Sequence, residues 1–151
     1  MGRLSMDGID STVASFEALA NISEDDAWEI INAGAEVVAD YHKRQISEMF
    51  KMHSFQLLSS IKIRKKKGDG YVYALVGPDG KRSGPTSAGK RRKNGKGSYS
   101  GTNAEVGYFL EYGTPKIRAR HWMEAANAKA EDPMIQAETD AWNRRLARLG
   151  L

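Results

Sequence analysis

A chain of 151 residues with 40% apolar content has the length and hydrophobic supply of one ordinary domain, and the absence of cysteine excludes disulfides and thiolate metal sites. The first ten residues carry charges without the apolar run of a signal peptide, and no stretch approaches the roughly 18 apolar residues of a membrane span, so neither secretion nor membrane insertion is expected. The net charge of +4 is unevenly spread: residues 1–61 hold 4 Lys/Arg against 10 Asp/Glu, residues 62–96 hold 12 against 2, and residues 97–151 hold 7 of each. A basic block between an acidic and a neutral segment attracts phosphate, an anionic membrane or an acidic protein surface, and composition does not choose among them.

In chain order, residues 1–10 read as flexible and Val13 to Ala20 as a short helical candidate. Ser23-Glu24-Asp25-Asp26 has the form of a helix start, an oxygen-bearing cap followed by acids in the first turn. Trp28, Ile31, Ala35, Val38, His42, Gln45 or Ile46, and Met49 then recur at steps of three and four, which predicts a long helix to about Phe50 with one apolar stripe. Ser54 to Ser60 fits either a continuation or a separate turn. Ile61 and Ile63 alternate with Lys62 and Arg64, Gly68-Asp69-Gly70 supplies a turn, and Tyr71 to Val76 reads as a second strand, so a β-hairpin is expected. Gly77-Pro78-Asp79-Gly80 is expected to end that strand.

Residues 81–103 contain five glycines, many Lys/Arg and almost nothing apolar, and are expected to form a mobile interaction loop. Ala104 to Tyr112 is apolar enough for a buried strand or a short helix, and Gly113-Thr114-Pro115 breaks it. Trp122 to Ala130 reads as helix, followed by a second helix capped by Asp132 with Pro133 at its first position and an apolar side of Ile135, Trp142, Leu146 and Leu149. The expected fold class is α+β in a single domain, residues 1–151. It has a long N-terminal helix, a small antiparallel sheet built on a β-hairpin with a long basic loop, and C-terminal helices packed on the sheet.

Chemistry for catalysis is thin, and no catalytic, cofactor-binding or metal-ligating residue is assigned. His42, His53 and His121 lack metal spacing; even on one unbroken helix His42 and His53 would lie ~16 Å apart. They read as surface or packed neutral side chains. Gly84 to Arg91 imitates a phosphate-binding loop, but Arg91 stands where the magnesium-binding hydroxyl belongs, and no helix signal follows. Glu24, Asp25 and Asp26 are explained by helix capping. No nucleophile and base stand in a recognisable arrangement, so an enzyme is not expected.

The candidate interaction residues are Lys62, Arg64, Lys65, Lys66, Lys67, Lys81, Arg82, Lys90, Arg91, Arg92, Lys93 and Lys96, with Tyr71, Tyr73 and Tyr99 nearby. They suit either backbone-directed contact with nucleic acid or a solvated arm, and Lys62 and Arg64 also suit the polar face of a hairpin. No sequence-reading module accompanies them, so DNA contact is expected to be indifferent to base sequence.

The segment Ala104 to Thr114, ending in Glu111-Tyr112-Gly113-Thr114 and followed by Lys116 to Met123 and an alanine-rich helix, resembles the small head-tail joining and tail-completion proteins of long-tailed phages and prophages. Members of that family carry an apolar element ending in Glu-Phe/Tyr-Gly-Thr, a short basic stretch, an Arg-Pro-Phe step and a helix. Here His121 and Trp122 stand at that step, which keeps an aromatic anchor and removes the proline. The resemblance covers about the last 50 residues; the long helix, hairpin and loop match only in order. It implies a non-enzymatic virion protein made in the bacterial host cytoplasm and assembling as a ring, a hexamer, at the neck or head-proximal tail end. Its partners would be itself, neighbouring connector and tail proteins, and DNA passing through the lumen, with no membrane. The expected mechanism is an electrostatic match of the acidic N-terminal helices with the basic hairpin and loop, between subunits or between rings, or a loop that faces the lumen. The rival expectation is a free-standing, sequence-indifferent nucleic-acid-binding protein.

The motif also has a physical reading of its own. Gly113 permits a positive φ or a close backbone approach, Thr114-Pro115 stops the preceding element, and Trp122 anchors the next helix. Glu111 is expected to accept backbone amides, to pair with Arg118 or Arg120, or simply to be polar at a turn.

Overall fold

The computed structural model describes residues 22–50, 55–81 and 102–150. The helical candidate Val13 to Ala20, the flexible residues 1–10, His53 and the phosphate-loop look-alike Gly84 to Arg91 lie outside them. The first described element is α1, Glu24–Met49. Ser23 opens it with a capping box: its hydroxyl accepts the Asp26 N–H, and the Asp26 carboxylate accepts the Ser23 N–H. Gly34, Ala35, Ala39, His42, Gln45 and Ile46 form its buried stripe, while Met49, expected inside, is exposed. A separate short helix, α2 (Phe55–Ser59), follows and buries Leu57.

Strands β1 (Ile61–Lys67) and β2 (Val72–Pro78) pair antiparallel from Ile61 with Pro78 to Lys67 with Val72. β2 therefore runs two residues further than the turn chemistry at Gly77-Pro78 predicts. The bonds Gly68 N–H to Tyr71 O and Asp79 N–H to Ser60 O flank the ladder. They fix its alternation, so that Ile61 and Pro78 form a non-hydrogen-bonded pair. A proline there gives up no ladder bond, which is why the strand tolerates it. Lys81 bridges to Thr102 and Asn103 N–H donates to Gly80 O at 3.0 Å, which brings the two ends of the basic segment side by side; residues 82–101 themselves lie outside the described ones.

The apolar stretch after the loop is a helix, α3 (Asn103–Tyr112), capped by Thr102 and Glu105 in a second capping box. One helix, α4 (Trp122–Leu149), then replaces the two expected around Asp132. Pro133 removes one helical N–H, yet α4 packs along α1 on both sides of it, with Ala126 and Ala130 buried before and Ala141 after. Tertiary burial overrides the local break. The inward face is this stripe of small residues rather than the expected Ile135, which is 52% exposed.

α1 and α4 run antiparallel, as their ties show. Arg145 meets Asp26 at 2.8 Å and Arg148 meets Glu29 at 2.5 Å at one end, while Lys129 donates to Gln45 at 2.8 Å at the other. The Asp26 carboxyl lies below its usual range, held down first by the Ser23 hydroxyl and then by Arg145. The core joins Ala39, Ile46, Leu57, Ile61 and Trp122, with Phe50, Leu58, Ile63, Val76, Leu110 and Met123 packed around it. The α+β architecture holds: a long helix, an antiparallel hairpin on it, and C-terminal helices completing the packing. Among the described residues no helix is long and apolar enough to cross a membrane.

His42 is the polar member of this interior, 1% exposed, with Nε2 at 2.8 Å from the Asn127 Oδ1 and its ring edge-on to Trp122. Since the amide oxygen only accepts, Nε2 carries the proton. Burial pushes the His42 pKa down, although Asn127 and Glu111 pull the other way. The unfolded chain takes up that proton near the ordinary value of about 6.5, where the folded protein does not. The contribution is therefore complete above that pH and is lost as pH falls through it towards the depressed folded value. In thermal melts from pH ~7.5 to ~5, wild type is expected to lose more Tm than His42→Asn does.

Candidate interaction surface

Strand parity divides the basic hairpin into two sets. Lys65 and Lys67 share the inward face with Ile61 and Ile63 and reach the first turn of α1. Lys65 lies 3.4 Å from Glu24, 3.5 Å from Asp25 and 5.5 Å from the centre of the Trp28 ring, and Lys67 pairs with Glu24. The hydrogen bond from Lys67 holds the Glu24 carboxyl below its usual range. The acidic helix start and the basic strand thus match each other within one chain.

Lys62, Arg64 and Lys66 lie on the outer face, where the pairing sets them beside Gly77, Leu75 and Tyr73. Tyr71 stacks near Tyr73 with ring centres 5.8 Å apart, and Tyr71, Tyr73 and Leu75 are exposed. Arg64 is tied to Asp79 at 3.8 Å, and Lys62 and Lys66 have no ion-pair partner among the described residues. This face is a small basic and aromatic platform. Lys81 stands exposed at the base of the loop, and Arg82, Lys90, Arg91, Arg92, Lys93 and Lys96 lie outside the described residues, as does Tyr99.

A second exposed set went unread in the sequence. Tyr108 and Tyr112 lie on one face of α3 with ring centres 4.7 Å apart, and both are exposed, as are Phe55 and Ile117. The signal was available: positions four apart on a helix share a face. Its meaning depended on choosing helix over strand for Ala104 to Tyr112.

The Glu111 to Thr114 motif is a corner in which three of the four residues hold backbone. Glu111, 5% exposed, takes the Met123 N–H at 2.7 Å and the Glu124 N–H at 3.2 Å on its two oxygens. It thereby caps α4, whose own cap position, His121, has left-handed φ and ψ of 48° and 41° and makes no side-chain cap. Of the alternatives open for Glu111, the amides are the ones it uses. Gly113 ends α3 with φ 79° and ψ 178°, and Thr114 closes a turn by accepting the Lys116 and Ile117 N–H groups on Oγ1. Arg120 N–H then donates to Leu110 O, and Trp122 Nε1 donates to Gly107 O at 3.0 Å. Tyr112 faces solvent.

Oxygens of Glu111 and Glu124 and a ring nitrogen of His121 lie within 4.8 Å of one another. The helix N–H groups occupy both Glu111 oxygens, and His121 and Glu124 form an exposed pair at 3.5 Å, so capping accounts for the cluster. Glu111→Ala is expected to lower stability by about 1–3 kcal/mol in urea titration, because two N–H groups lose their acceptor. Glu111→Gln keeps one acceptor oxygen and should fall between.

Comparison of the chain with protein-family models, with curated proteins and with solved structures returns no match.

Proposed function

We propose that this chain is a structural virion protein of the head-tail connector or tail-completion type, assembling as a ring, a hexamer, at the phage neck or head-proximal tail end. The supporting observation is the corner at Glu111-Tyr112-Gly113-Thr114. A motif that resembles this family's is here a joint between two helices, with Glu111 capping α4, Gly113 turning the chain and Trp122 seated in the core. The exposed surfaces are compatible with assembly. A ring needs two different complementary patches on each copy. The hairpin platform of Lys62, Lys66, Tyr71 and Tyr73 and the α3 face of Tyr108 and Tyr112 are two different exposed patches that could serve. Neighbouring connector and tail proteins, and DNA in the lumen, are the partners this reading assigns. Mass measurement and negative-stain microscopy of the purified protein, with a search for it in virions, test the reading. Rings, or incorporation into virions, are expected; a strict monomer that is absent from virions would sink it.

A second reading, sequence-indifferent nucleic-acid binding, is favoured by one observation: Lys62 and Lys66, without an ion-pair partner among the described residues, share a strand face with two tyrosines. On that reading DNA affinity falls steeply with salt, and neutralising both lysines flattens the slope of log affinity against log salt by up to about two units. An unchanged slope rejects it.

A further inference from the structure

β2 has a free edge. The ladder bonds fall on Tyr73, Leu75 and Gly77, as the flanking Gly68 to Tyr71 and Asp79 to Ser60 bonds fix, so the N–H and C=O groups of Val72, Ala74 and Val76 point away from β1. Among the described residues nothing bonds to them. The outer edge of β1 is guarded by Lys65 and Lys67, charges of the kind that block strand addition, whereas the β2 edge offers only valine and alanine.

That edge forms one wall of a groove of about 420 Å³. Ile31, Ala35, Val38 and His42 of α1 also line it, and Met123, Asn127, Met134 and Glu138 of α4 complete it. Among the described residues two polar groups here lack a partner. His42 Nδ1 is buried with no hydrogen bond to any of them. The half-buried Glu138 has no hydrogen bond or ion pair among the described residues, and burial raises its pKa above the usual carboxylate range. Its side chain lies over Gly34, where an added Cβ would come within 2.7 Å of Cγ. An unpaired carboxylate at the side of an apolar slot asks for a cation from the occupant.

We propose that the free edge of β2 docks one extended segment of another polypeptide, which adds as a third strand and turns toward the groove a face of apolar residues interrupted by one Lys or Arg, whose head group sits against Glu138. Backbone bonds to Val72, Ala74 and Val76 supply the register, the apolar side chains fill the slot above Ile31, Ala35 and Met134, and Glu138 selects for positive charge. The five residues from Val72 to Val76 span ~16 Å, so a segment of five or six residues suffices. This goes beyond ring assembly and stands whether or not rings form.

The probe is a fluorescent hexapeptide, Thr-Val-Thr-Lys-Thr-Val, whose valines and lysine share one face, compared by polarisation with a version carrying glutamate in place of the lysine and with a version of the lysine peptide N-methylated on its edge-facing amides. The lysine peptide is expected to bind at least about tenfold tighter than either. Ala74→Pro removes an edge N–H without touching the β1 ladder, and should weaken binding about tenfold with an unchanged circular dichroism spectrum. Glu138→Gln should erase the preference for lysine over glutamate. Should Ala74→Pro fail to fold, the N-methylated peptide interrogates the same bonds from the ligand side. Equal binding of all three peptides overturns the proposal. So does a dimer, seen by sedimentation, that the peptide does not dissociate and Ala74→Pro abolishes, since the edge would then belong to a second copy of this chain.

Discussion

Replacing Trp122 with alanine is expected to cost about 3–5 kcal/mol, a large share of the roughly 5–15 kcal/mol that holds a domain of this size together. Trp122 is fully buried, belongs to the cluster of Ala39, Ile46, Leu57 and Ile61, and packs edge-on against His42. It also packs beside Gly107, whose missing Cβ lets Pro78 close over α3, and its Nε1 donates to the Gly107 carbonyl. Alanine would leave a cavity and remove the indole's hydrogen bond to the Gly107 carbonyl. Trp122→Phe restores most of the volume and not the bond, so it should cost about 1–2 kcal/mol more than wild type. Urea titration followed by far-ultraviolet circular dichroism reads both variants. A Trp122→Ala loss under 1 kcal/mol would show that α4 is held by its α1 contacts rather than by this anchor.

The sequence carried the α1 start, the hairpin and its turn because each has a local cause: an oxygen at Ser23, alternation at Ile61 and Ile63, glycines at 68 and 70. It failed where tertiary packing overrode a local signal. Asp132-Pro133 has the chemistry of a helix start, yet the small-residue stripe of Ala126, Ala130 and Ala141 against α1 is continuous across it. Gly77-Pro78 has the chemistry of a strand end, yet Pro78 falls on a non-bonded pair, a register that only the partner strand decides. Charge was legible as a count and not as a pattern. The parity of β1 spends Lys65 and Lys67 on Glu24 and Asp25 and leaves Lys62 and Lys66 outward, so a block of cations became half a clasp and half a surface. Glu138 could not be singled out from sequence, since its isolation depends on where β2 ends relative to α4.

Gly113→Ala is expected to be the most disruptive glycine substitution in the described chain. With φ 79° and ψ 178°, the residue sits in a region essentially reserved for glycine, where another residue costs about 1–3 kcal/mol in strain alone. A Cβ there would also meet the Ala119 N and the Ile117 O at 2.8 Å, and both are backbone atoms of the returning chain. Neither can rotate away; the whole turn must move, and the Glu111 cap on Met123 and Glu124 moves with it. The combined loss should be about 3 kcal/mol or more, with faster hydrogen exchange at the Met123 and Glu124 amides. Gly150 supplies the contrast. It has a similar φ of 77°, but its ψ is 23° and a Cβ would meet nothing within 4 Å, so Gly150→Ala should cost only about 1 kcal/mol. Asparagine, which tolerates the left-handed helical region, should be mild at Gly150 and no remedy at Gly113, where ψ lies outside that region. Equal costs at the two sites would mean that the corner bends freely. Unequal costs would mean that Gly113 is needed to bring Glu111 to the start of α4 and Trp122 into the core.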